Sequence, residues 1–225
     1  MSFRELSHTG SLFGAVLCAL TLTLFPAQHT AAAQQTGADA SDEHAGHAAH
    51  QHEHHHHHEV APGYQRLLAS YDVPAVTMVN QESQQVNLRE LLDADEPVML
   101  NFIFTSCTAI CPAMSATFSS VQGKLGSDSG QLRMVSVSID PEYDTPEALS
   151  AYARRFGAGP QWEFLTGSLD DSIAVQRAFD ADRGDKMNHV PMTLFRATQD
   201  AQWVRYEGFV TAEQMVKEYQ STLTD

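Results

Sequence analysis

Two cysteines, Cys107 and Cys111, stand four residues apart in NFIFTSCTAICPAMSATF. The spacing is C-x-x-x-C. Residues four apart share one face of a helix, with about 5–6 Å between their Cβ atoms. Both sulfurs can then meet one ion, or pair as a disulfide after a modest adjustment. As a purely structural staple the pair is poorly placed. Chain entropy credits so short a loop with only about 2 kcal/mol, against more than about 4 kcal/mol for a 100-residue loop. Chemistry at the sulfurs is the better explanation, and thiolate is both the reactive and the metal-binding form of cysteine.

A third donor is His189, in DKMNHVPMTLF. Thiolate favours Cu(I), and an added imidazole suits Cu(II). His189 is the one histidine in the part of the chain that reads as folded, and it stands just before a predicted strand. Taken alone, such a residue is as well explained by a surface or hydrogen-bonding role. Its expected place beside the cysteines favours a ligand.

A second histidine feature lies upstream. Nine histidines fall between His44 and His58, with His54 to His58 consecutive. Ala, Gly, Asp, Glu and Gln fill the gaps, without apolar periodicity. Residues 34–62 are therefore expected to stay disordered. Neutral imidazole binds copper, zinc and nickel, so the segment reads as a loose metal collector. A purification tag explains it less well, because the histidines are scattered and internal.

The elements that must position these residues are visible in the pattern. Pro97–Thr105 is a mostly apolar run that fits a strand buried on both faces. A helix is expected from about Pro112 to Leu125, with Met114, Phe118, Val121 and Leu125 along one stripe. Gly126 is placed to end it. The cysteines thus fall between the end of a strand and the start of a helix, where α/β sheets form their sites. Free N–H groups at a helix start stabilise a thiolate.

Further strands are predicted at Val73–Val79, Leu132–Ile139, Trp162–Thr166, Met192–Ala197 and Trp203–Phe209, the last two as a hairpin. Leu88–Leu92 suggests a short helical turn. Thr145 is set to cap a helix with Pro146 at its first position. Another helix spans Asp170–Phe179, and Thr211 caps the last. Alternating strands and helices imply an α/β domain with parallel pairs and right-handed crossovers. A closing antiparallel hairpin and helix give the thioredoxin-like fold, a mixed central sheet flanked by helices. No internal repeat or Gly-rich phosphate loop is visible.

Residues 1–33 carry Arg4, an uncharged apolar run from Ser11 to Phe25, Pro26, and Ala31-Ala32-Ala33. This order is that of a secretory signal peptide. The alternative is a retained membrane anchor at residues 11–25, although a span usually needs about 20 residues. Either way the body is expected to be exported, to the periplasm. Cys18 would be discarded with the signal. The remaining organisation is a His-rich segment at 34–62 and a folded domain at 63–225. The net charge of −15, from 13 basic and 28 acidic residues, argues against nucleic acid and against a polybasic membrane contact.

The motifs around Cys107 and Cys111, VSIDPEYDTPEAL, and NHVPMTLF together resemble the Sco/SenC family over residues 73–222. The resemblance implies a thioredoxin-like domain binding one copper, as Cu(I) or Cu(II), through Cys107, Cys111 and His189. It implies a metallochaperone that helps assemble the copper centre of cytochrome c oxidase, its partner a copper-accepting apoprotein such as an oxidase subunit. A thiol–disulfide oxidoreductase, with Cys107 attacking and Cys111 resolving, is the competing reading. Peroxide reduction would need a Thr and Arg around the reactive cysteine, and none is evident. Asp140 and Pro141 match the second motif. They read either as a turn before a helix or as a device that positions the site. Met114 reads as core rather than as a thioether ligand.

Overall fold

The computed structural model describes residues 63–223. The signal-like and His-rich segments, with Cys18, lie outside the described residues. Among the described residues, no helix is long and apolar enough to cross a membrane.

Eight strands form one mixed sheet: β1 (Tyr64–Ala69), β2 (Thr77–Asn80), β3 (Gln85–Asn87), β4 (Val98–Ile103), β5 (Arg133–Ser138), β6 (Trp162–Thr166), β7 (Met192–Arg196) and β8 (Trp203–Gly208). Their order across the sheet is β1-β8-β7-β4-β5-β6-β2-β3. β4, β5 and β6 run parallel, whereas β7 lies antiparallel to β4 and to β8. The helices are α1 (Leu88–Leu92), α2 (Ile110–Leu125), α3 (Pro146–Arg155), α4 (Leu169–Ala178) and α5 (Ala212–Ser221).

β4 is central, and all six of its residues are buried. Strand alternation divides it between two apolar layers. Met99 and Ile103 join Phe118, Trp162, Phe195 and Met215 on one side. Val98, Leu100 and Phe102 join Val135, Leu194, Val175 and Trp203 on the other. The sheet is therefore covered on both faces, as parallel strands require.

Predicted local signals are realised closely. Thr145 accepts a hydrogen bond from the Ala148 amide, with Pro146 opening α3. Thr211 and Gln214 form a reciprocal capping box at the start of α5. Gly126, at φ +56°, terminates α2 in the left-handed region that glycine tolerates. Three differences are local. The predicted strand at Val73–Val79 is ordered as a strand only from Thr77, because its first residues have no strand partner. β1 and β3 are not evident in the sequence, since both are edge strands: β1 is largely exposed, and β3 is only three residues long. α2 begins two residues earlier than expected, which brings Cys111 inside its first turn.

Candidate metal centre

β4 ends at Ile103, and the chain turns over Phe104–Ala109 before entering α2. The Cys107 amide donates to the Phe104 carbonyl at 3.1 Å, closing the turn. Cys107 therefore lies in the loop and is partly exposed. Cys111 is the second residue of α2 and is fully buried. Both thiols are free. The Cys111 amide donates to Cys107 Sγ at 3.4 Å, and the Phe104 amide donates to Cys111 Sγ at 3.5 Å.

These contacts separate the two sulfurs chemically. Burial alone would raise the Cys107 pKa. Backbone donors from Cys111, Ala109 and Ile110 outweigh it and draw the pKa below the usual thiol value. Burial pushes the Cys111 thiol well above its usual value, and the neighbouring Cys107 adds to the effect. The thiolate is thus favoured at Cys107 relative to an ordinary cysteine and disfavoured at Cys111.

His189 follows a short 3-10 turn at Lys186–Asn188 and precedes β7. It is 6% exposed, so sequence alone understates its burial. Burial lowers its pKa to about 4, against a hydrogen bond with the Phe102 backbone that raises it. The imidazole is thus neutral at ordinary pH. Its Nε2 is buried and has no hydrogen-bond partner. A lone pair or N–H left without a partner is costly unless another ligand satisfies it.

Cys107 and His189 line one cleft of about 290 Å³, together with Phe104, Ala109, Ile110 and Met187. Cys111 lies behind Cys107 and does not reach the wall. Among the described residues, no three His, Cys, Asp or Glu side chains are already gathered around one point. The sequence-predicted residues thus converge on one end of the sheet without being closed on an ion. The donor set of two sulfurs and an imidazole nitrogen suits copper in either oxidation state.

Two positioning groups were not predicted. Asp144 is fully buried. Its carboxylate accepts from the Thr105 amide at 3.1 Å, from Thr105 Oγ1 at 2.5 Å and from Ser138 Oγ at 2.6 Å. It fixes the loop two residues before Cys107. Lys186 donates to buried Asp140 at 2.5 Å and lies over the rings of Tyr143 and Phe104. It pins the turn that carries His189. Asp140 forms the expected turn, accepting backbone hydrogen bonds from Tyr143 and Asp144, and also serves this clamp. Met114 is 3% exposed and belongs to the core, as expected.

Residues 71–223 match the SCO1/SenC family. The chain belongs to the SCO1/SenC family. The SCO1 protein homolog of Bacillus subtilis (strain 168) is 37% identical over 105 residues, 46% of this chain and 53% of the relative. The chain thus spans about half the length of that curated relative. BsSco, a member of the Sco family of cytochrome c oxidase assembly proteins in which a disulfide switch was identified, superposes with a TM-score of 0.57. It is 29% identical, covering 69% of this chain and 95% of its own. Arabidopsis thaliana ScoI with copper bound superposes with a TM-score of 0.57 at 20% identity, covering 68% of this chain and 98% of its own. These likenesses fix the thioredoxin-like SCO1/SenC fold.

Proposed function

We propose that this chain is a copper metallochaperone of the SCO1/SenC type, with Cys107, Cys111 and His189 as its ligands. Copper is its cargo. The observation that carries the reading is His189, which lines the same cleft as Cys107 and has a buried Nε2 without a hydrogen-bond partner. The acceptor is a copper-binding apoprotein, a cytochrome c oxidase subunit in keeping with the assembly role that BsSco carries in its name. The signal-like order of residues 1–33 supports a site of work outside the cytoplasm, in the periplasm. Binding requires Cys111 to lose its proton and the imidazole of His189 to meet the sulfurs at one ion. Copper(I) needs only the thiolates; the imidazole makes the site hospitable to copper(II) as well.

A second reading has its own support. The sulfur pair has the asymmetry of an attacking and a resolving cysteine: Cys107 partly exposed with a lowered pKa, Cys111 buried with a raised one. A thiol–disulfide oxidoreductase would use Cys107 to attack a partner disulfide and Cys111 to release it.

The two are separated by titrating the reduced chain, with its nine tract histidines changed to glutamine, with Cu(I) and with Cu(II). One tight copper per chain, a thiolate-to-Cu(II) absorption band and loss of that band in His189→Ala support the chaperone. Absence of stoichiometric copper, with the cysteines still cycling as a disulfide, supports the oxidoreductase.

A further inference from the structure

Methionine is an apolar side chain with a metal-binding sulfur, and one methionine of the domain stands apart. Met78, Met99, Met114, Met134, Met192 and Met215 are buried, none more than 3% exposed, whereas Met187 is 74% exposed. A single exposed apolar residue is ordinary, so exposure alone decides nothing. Met187, however, is two residues from His189 and lines the same cleft as Cys107 and His189.

The turn holds the backbone at this position and leaves the side chain free. Asp185 caps it, its carboxylate accepting from the Met187 amide at 2.8 Å. The Asp185 carbonyl accepts from the Asn188 amide at 2.9 Å, and the Lys186 carbonyl accepts from the His189 amide at 3.1 Å. The Lys186 ammonium is fixed in turn to Asp140. Met187 and His189 are therefore presented by one braced turn. The methionine side chain is unbranched, with three rotatable bonds, so its sulfur can settle on an ion in the cleft. A polar residue would serve the turn as well, and a leucine would fill the same space, but neither supplies a soft donor. Cys111 is fully buried and is not part of the cleft wall. Among the lining residues, the sulfur and imidazole donors are thus Cys107, Met187 and His189.

We infer that the Met187 thioether is a further copper(I) ligand, which joins Cys107 and His189 from the mouth of the cleft. This deepens the reading of the chain as a copper carrier and rests on it. Thioether sulfur is soft and uncharged, so it favours copper(I) over copper(II). Its bond to copper forms and breaks with no proton released and no electron moved. A donor of this kind covers the open side of the ion and biases the site towards copper(I).

The test compares two full chains grown with selenomethionine, the parent and Met187→Leu. Both carry Cys18→Ser and glutamine at the nine tract histidines, so that copper reports on the folded domain. Leucine keeps the size and apolarity, and at so exposed a position it should leave the fold intact. One equivalent of copper(I) is added to each reduced chain. X-ray absorption at the copper edge should show a copper–selenium shell in the parent and none in Met187→Leu. Competition against a chromophoric chelator should show copper(I) affinity about tenfold lower in Met187→Leu, at least what loss of a group supporting a metal ligand costs. Copper(II) affinity should fall by less. One copper(I) per chain without a selenium shell in the parent overturns the inference and leaves the site reading intact. So does a shell that persists in Met187→Leu, or an equal fall in copper(I) and copper(II) affinity. If neither chain holds stoichiometric copper(I), the reading of Cys107, Cys111 and His189 as a copper site falls, and the Met187 ligand with it.

Discussion

The backbone amide of Cys111 points at the sulfur of Cys107, 3.4 Å away, so the helix that buries one cysteine activates the other. The same first turn supplies further amides, which lower the pKa of Cys107 at the mouth of the cleft. Alkylation of the reduced, metal-free chain should therefore be biphasic. The fast phase should belong to Cys107, inflect below the ordinary thiol pKa and vanish in Cys107→Ser. Cys111 should react at least about tenfold more slowly at pH 7, given its burial and raised pKa. Mass mapping of the first adduct checks the order.

Asp144 acts on the same loop from behind. Three donors, two from Thr105 and one from Ser138, converge on its buried carboxylate. Asp144→Ala would leave them without an acceptor. The expected loss is about 3 kcal/mol of stability, measured by urea unfolding. Asp144→Asn keeps the shape but replaces one acceptor oxygen with a donor, so it should recover only part of that loss.

Lys186 tests whether the histidine turn is held in place. It bridges buried Asp140 to the rings of Tyr143 and Phe104, and its own carbonyl accepts from the His189 amide. Lys186→Met removes the charge and keeps much of the stem. Copper(II) affinity should fall about tenfold, as for other residues that orient a ligand. The position of the thiolate band should not change, because Lys186 acts through the placement of His189. A purely structural role would lower the unfolding midpoint and leave affinity intact.

Much of this site was legible before any coordinates. Cys107 and Cys111 stand between an apolar run and an amphipathic helix, and that order alone puts them at the carboxyl end of a central strand. The caps Thr145 and Thr211 are local chemistry, and each is found as predicted. Asp144 and Lys186 were not legible, because Thr105 lies 39 residues from the first and Asp140 lies 46 from the second. Nothing in DPEYDTP says which aspartate turns inward. The edge strands β1 and β3 escaped for a related reason. Their pairing is set by neighbours, and Leu67 and Leu68 of β1 are both exposed, so the alternation that marks a half-buried strand is missing.

β1 offers a pH test of the closing layer. Glu218 on α5 accepts from Arg66 Nη2 of β1 at 2.7 Å, and also from the Tyr206 hydroxyl of β8. Burial would raise the Glu218 pKa, but these two donors prevail and draw it below the usual value. A carboxylate with a lowered folded pKa stabilises the native state above its unfolded pKa, about 4.3. That contribution is lost as pH falls through the lower folded value. Since Arg66 is nearly half exposed, solvent screens its share, and the total should be about 1 kcal/mol at pH 7. The wild-type chain should exceed Glu218→Gln by that amount in urea unfolding at pH 7. The gap should narrow below about pH 4.3 and close once Glu218 is protonated in both states. A gap that stays constant down to pH 2 would mean that Glu218 acts through packing rather than charge.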